Sequence, residues 1–302
     1  MNRFFQVIVF LLMLWIISFA IANLFFESDG DISLGEKVAV IPIKGMITLE
    51  GGSNFLSSST SGSEIAAKIK DANEDSQIKA IVLEINSGGG TVLGSKIVAD
   101  AIKEVEKPIV ASISEYGASG AYWIASQTDT IVADDLSFVG SISVLGSHLE
   151  FAGLLQDYNV TYRRLNTGEY KDIGTPYREM TEDEEALLME RLQGVHDYFV
   201  QEVATGRDMS IEEIDELANG LFYLGYEAKD LGLVDELGDR EYAIDLAEEM
   251  AGIEDGAIKE YEEKESFFDM LTQYTSHMGF FIGQGIGSVL ISQNTEDFKI
   301  SL

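Results

Sequence analysis

Two glycine-rich turns in this sequence sit where main-chain amides and a hydroxyl can meet a carbonyl group. The first is Asn86-Ser87-Gly88-Gly89-Gly90, directly after an apolar run that ends at Ile85. Glycines between a strand and a helix let backbone N–H groups approach a ligand without interference from Cβ atoms. Such amides stabilise an anion or a developing oxyanion. The second turn is Tyr116-Gly117-Ala118-Ser119-Gly120-Ala121-Tyr122, which follows the apolar run 109–113. Ser119 there opens a predicted helix among small neighbours, with room for a substrate carbonyl and a helix dipole that favours negative charge at its Oγ. Each turn also has a plain structural reading. The glycines serve backbone geometry alone, and the serine caps a helix.

A serine nucleophile needs a base. The imidazoles are His148, His196 and His277. His196 falls inside a long helical pattern and His277 in an uncharged tail, which leaves His148. The other candidate is Lys171, in Thr167-Gly168-Glu169-Tyr170-Lys171-Asp172. A lysine acts as a base only as the neutral amine, against an ordinary pKa of about 10.4; burial under apolar side chains is what lowers such a value. On the residues alone both bases stay open, and a solvated surface charge is the plain reading of any single lysine.

Composition removes several classes of function. The 302-residue chain carries a formal net charge of −32 and no cysteine. So acidic a domain repels phosphate backbones, which excludes nucleic acid as a partner. Without cysteine there are no disulfides, thiolate metal sites or thiol nucleophile. Three widely spaced histidines leave little room for zinc, and neither a Walker A nor a dinucleotide-binding glycine pattern is present. No metal or organic cofactor is expected.

The elements around these turns alternate. Val38 to Ile43 reads as a buried strand, 51–63 as a flexible Gly/Ser loop, and 64–73 as a helix. A strand over 80–85, a helix over 94–105 and a strand over 109–113 follow, then short strands at 130–133, 141–145 and 160–165. A long helix over 181–205 opens on the capping box Thr181-Glu182-Asp183-Glu184, and short helices follow over 210–250. Apolar strands separated by helices predict a parallel sheet covered on both faces. Phe4 to Phe26 lacks any charged residue, with Arg3 before it and Glu27 after it. That is long enough for a membrane-spanning helix with its N-terminus in the cytoplasm and the bulk of the chain outside. Segment 267–290 has apolar residues at helical spacing and suits an amphipathic or oligomer-docking role.

Taken together and in order, Asn86–Gly90, Ala118–Tyr122, Val139-Gly140-Ser141 and Gly168–Asp172 resemble the signal peptide peptidase A family of membrane-anchored serine proteases. Pro176–Thr181, Gly206-Arg207 and Leu231–Gly238 extend the likeness. The resemblance implies an α/β chain of Clp-protease/crotonase-like fold with an N-terminal transmembrane helix. Its domains would be a cytoplasmic tip 1–3, an anchor 4–26, a linker 27–36, a protease domain 37–250 and a C-terminal segment 251–302. It implies Ser119 as nucleophile, Lys171 as general base, Ser141 as the residue orienting that lysine, and the amides of Gly89 and Gly120 as the oxyanion hole. It also implies signal peptides and short apolar peptides as substrates, the membrane as surroundings, and ring-like homo-oligomers in which neighbouring subunits build one site. Two positions depart from the family, Gly88 where proline is usual and Ala121 where glycine is usual. The alternative is a catalytically silent membrane scaffold or binding module of the same fold; a crotonase-type acyl-CoA enzyme fits the anchor and Lys171 poorly.

Overall fold

The structure is a computed structural model and describes Arg3 and residues 10–18, 35–54, 57–254 and 256–261. The chain divides into two units, Met1–Gly35 and Glu36–Leu302. In the first, residues 10–18 are helical and exposed. Among the described residues no helix is long and apolar enough to cross a membrane. The rest of the uncharged run 4–26, and the whole of 267–290, lie outside the described residues.

The second unit contains strands β1 (Lys37–Lys44), β2 (Met46–Thr48), β3 (Gly52–Asn54), β4 (Ser57–Ser61), β5 (Ile78–Ser87), β6 (Ile109–Ala118), β7 (Thr130–Ala133), β8 (Phe138–Gly140), β9 (Phe222–Leu224), β10 (Glu236–Leu237) and β11 (Ala257–Glu260). Its helices are α1 (Gly62–Glu74), α2 (Val92–Ile102), α3 (Gly120–Ala125), α4 (Ala152–Asp157), α5 (Glu182–Gly206), α6 (Ile211–Leu217), α7 (Gly225–Asp230) and α8 (Arg240–Ala251). The main sheet runs β10-β7-β6-β5-β1-β11, every neighbouring pair parallel. Successive strand residues face opposite sides, so the apolar runs of β1 and β5 feed two cores. Ile41, Ile43, Ile81, Leu83 and Ile85 pack on the face covered by α1, α2, α3 and α5. Val38, Val40, Ala80 and Val82 pack beneath Ala243, Ile244 and Ala247 of α8. A strand buried on both faces reads as continuously apolar, which is the pattern expected of a mostly parallel α/β sheet.

Three local expectations differ from the structure. Residues 51–63 are not a free loop: β3 and β4 pair antiparallel, and β4 pairs parallel with β2, in a separate three-stranded sheet. Side-chain hydroxyls supply the cohesion that apolar residues usually give, with Thr60 Oγ1 donating to the Lys44 carbonyl and Thr48 Oγ1 to Ser59 Oγ at 3.2 Å. The strand expected at 141–145 ends at Gly140, because Ser141 takes a left-handed φ of 50° that breaks extension. Residues 160–165 form no strand, and every one of them is exposed.

Candidate active site

Ser119 lies between the end of β6 and the start of α3, so the sheet and the helix fix it from both sides. Its backbone is at φ 51°, ψ −124°, a region that costs a non-glycine residue of order 1–3 kcal/mol and persists only where surroundings enforce it. Here the Ser119 N–H donates to the Gly140 carbonyl at 2.7 Å, and Trp123 N–H donates to the Ser119 carbonyl at 3.0 Å. Although Ser119 occupies the cap position of α3, its side chain makes no capping hydrogen bond. The plain helix-cap reading therefore does not hold, and the hydroxyl is left facing other work.

That work has a place. Ser119, Gly89 and Gly120 line one pocket of about 720 Å³, whose apolar wall includes Met46, Val92, Trp123, Leu145, Val195 and Phe199. Trp123 stacks on Phe199 with ring centroids 5.1 Å apart, tying α3 to α5. The glycines are required by contact. A Cβ on Gly89, whose φ is +99°, would lie 2.8 Å from both the Gly120 amide nitrogen and the Ala118 carbonyl oxygen. A Cβ on Gly90 would meet the Ile47 carbonyl oxygen at 1.8 Å, because β2 runs alongside the turn and Thr91 N–H donates to that carbonyl at 2.8 Å. A Cβ on Gly88, by contrast, would meet nothing within 4 Å. The turn is held by Ser87, whose Oγ donates to the Gly45 carbonyl at 2.5 Å and accepts from the Gly89 N–H at 3.1 Å.

Lys171 and Ser141 are not among the residues lining this pocket. Lys171 is exposed, in a turn closed by its own N–H donating to the Gly168 carbonyl at 3.2 Å. Ser141 is half-buried, with its Oγ donating to the Gly220 carbonyl at 3.1 Å and its N–H to the Leu221 carbonyl at 2.9 Å. His148 is exposed and also off the pocket wall. Among the described residues no group of His, Cys, Asp or Glu side chains is arranged to hold a metal ion.

Residues 101–254 match Peptidase family S49. The chain is 35% identical over 238 residues to a Methanocaldococcus jannaschii protein named as a protease, which spans 78% of this chain and 75% of that one.

The chain belongs to peptidase family S49.

It is accordingly a serine peptidase. An Enterococcus faecium protein named as a signal peptide peptidase is 32% identical to this S49 peptidase over 237 residues, covering 77% of this chain and 69% of its own. Protease 4 of Haemophilus influenzae is 29% identical over 235 residues, which is 74% of this chain and 37% of that longer protein.

Some residues at the site carry no local sequence signal. Ser95 lines the pocket from α2, and its Oγ is buried with no hydrogen-bond partner among the described residues. A Cβ on Gly120 would be 2.1 Å from that oxygen, so Ser95 is what holds position 120 to glycine. Val195 and Phe199 reach the pocket from the middle of α5, which the helical pattern marks only as an apolar stripe.

Proposed function

We propose that this S49 peptidase hydrolyses peptide bonds by acyl transfer, with Ser119 as nucleophile and Lys171 as general base. The observation that carries the reading is Ser119 itself: strained, uncapped, wedged between two glycine turns and open to an apolar pocket. Ser119 Oγ attacks the scissile carbonyl carbon while the neutral Lys171 amine takes the hydroxyl proton. The carbonyl oxygen becomes an oxyanion, held by amides of the Gly88–Gly90 turn and of Gly120. Collapse breaks the C–N bond as the Lys171 ammonium returns its proton to the leaving amine. Water, deprotonated by the same amine, then attacks the acyl ester; this releases the carboxylic acid product and restores the Ser119 hydroxyl. Gly89 serves as a donor only by giving up its bond to Ser87 Oγ, and Ser141 orients the lysine only by giving up Gly220.

The exposed Lys171 supports a site shared between copies, in which the lysine of one subunit serves Ser119 of the next. From 143 through 183 no residue is buried, although Leu145, Leu149, Leu154, Tyr158 and Leu165 are exposed along the segment. Exposed large apolar side chains concentrated in one segment fit a surface that a partner covers. We place the whole in a homo-oligomer, with residues 37–250 as the protease domain and 4–26 as a membrane anchor that leaves that domain outside the cytoplasm. Signal peptides and short apolar peptides are the substrates; the apolar pocket wall suits them, and such peptides remain at a membrane after secretion.

Digestion of casein and of a synthetic signal peptide by wild type, Ser119→Ala and Lys171→Ala tests the chemistry. Both variants should be inactive. Mixing the two inactive variants tests the shared site, since about a quarter of the interfaces in a randomly mixed ring would pair an intact Ser119 with an intact Lys171. Activity in either single variant overturns the dyad, and a mixture that stays inactive overturns the sharing.

A further inference from the structure

Lys171 cannot owe its position to a hydrophobic core, because the segment 143–183 that contains it buries no residue. Segments with little apolar burial open easily, whereas a catalytic base must stay within a fraction of an ångström of its working place. A polar relay holds this one. Asp172, the next residue, forms an ion pair with Arg164 Nη2 at 2.9 Å and accepts from Asn166 Nδ2 at 3.3 Å and from Arg178 Nε and Nη2 at 3.4 Å each. Arg164 also donates to the carbonyl of Glu169, so both sides of Lys171 are gripped. Arg178 passes the tie onward, donating from Nη1 to Glu184 Oε2 at 2.7 Å and from Nη2 to Glu184 Oε1.

Glu184 is where the relay meets the folded body. It is the first buried residue after the segment, 4% exposed. It also closes the capping box of α5, accepting from the Thr181 N–H at 3.1 Å while its own N–H donates to Thr181 Oγ1 at 3.2 Å. The same helix presents Val195 and Phe199 to the Ser119 pocket. One rigid helix therefore carries a wall of the substrate pocket and the mooring of the Lys171 loop.

We propose that Asp172 and Arg178 are positioning residues for the Lys171 amine, acting through this relay to α5. The proposal rests on Lys171 as general base. Neither side chain lines the Ser119 pocket, so their loss should lower kcat and leave KM in place. In the full-length protein, Asp172→Asn and Arg178→Ala should each lose about 10- to 100-fold in kcat, the scale of a misplaced catalytic group, with KM close to wild type; Tm should hold in Asp172→Asn and fall in Arg178→Ala, which leaves the buried Glu184 carboxylate without its partner. Millimolar guanidinium should restore part of the kcat of Arg178→Ala. Arg178→Lys should recover less than Arg178 itself gives, because an ammonium cannot bridge two carboxylates in a fork. Wild-type kcat in Asp172→Asn and Arg178→Ala beside an inactive Lys171→Ala overturns the relay alone. Full activity in Lys171→Ala overturns the base assignment and the relay with it. Losses confined to KM, or a kcat that guanidinium leaves unchanged, also count against it.

Discussion

Adjacent glycines in the first turn should respond in opposite ways to the same substitution. Gly89 has φ +99°, and an added Cβ would press on two backbone atoms at 2.8 Å and on Ser119 Cβ at 2.9 Å. The left-handed conformation alone costs alanine of order 1–3 kcal/mol, and backbone contacts that close must be relieved by moving Gly120 or Ser119. Gly89→Ala should therefore lose about 2–4 kcal/mol of stability. It should also lose about 100- to 1000-fold in kcat, the usual consequence of spoiling an oxyanion donor. Gly88 has open space around its Cα and no left-handed φ. Gly88→Ala should stay within about 0.5 kcal/mol of wild type, as surface substitutions do, with kcat nearly unchanged. The assay is steady-state hydrolysis of a fluorogenic peptide with an apolar residue before the scissile bond, beside thermal unfolding followed by circular dichroism. Equal effects of the two substitutions, or a fully active Gly89→Ala, would refute the reading of this turn as part of the catalytic machinery.

Other outcomes follow from single contacts. Ser95→Ala removes a buried, unpartnered hydroxyl and should raise stability by up to about 1 kcal/mol, visible as a higher Tm; a clear fall would show that the hydroxyl is satisfied in solution. Trp123→Ala, which empties a nearly buried ring stacked on Phe199, should cost about 3–5 kcal/mol and raise KM for apolar peptides more than for polar ones. The Arg178 guanidinium and the Thr181 amide hold the Glu184 carboxyl down to about 2 from an ordinary 4.5. A depressed carboxylate stabilises the fold fully above its unfolded value and loses that contribution as pH falls through the folded one. Tethering of the 143–183 segment should thus survive pH 4 and fail toward pH 2, which NMR titration of the Glu184 carboxyl would show; a midpoint near 4.5 contradicts the pairing.

What the sequence shows plainly is what depends on local pattern. The apolar runs of β1 and β5, the capping box at Thr181 and Glu184, and the glycine turns beside Ser119 are all set by neighbours in the chain, and each is found where the pattern predicts it. Hydropathy failed where polar side chains or unusual backbone took over. Ser59 and Thr60 of β4 tie the small sheet through their hydroxyls, and Ser141 turns a β-branched run aside with one left-handed residue. The relay from Asp172 through Arg178 to Glu184 was legible as three charges and not as one device, because nothing in a linear pattern states which carboxylate an arginine will choose. The pocket wall from α5 was hidden for the same reason: Val195 and Phe199 come to line the Ser119 pocket only after the long connection from β8 has folded back.

The most direct test of the account is where a fluorophosphonate reacts. Intact protein treated with the probe and digested for mass spectrometry should carry a single adduct, on Ser119, absent from Ser119→Ala and formed far more slowly in Lys171→Ala. An adduct on Ser95 or Ser141 instead, or labelling of Lys171→Ala at the wild-type rate, would contradict it.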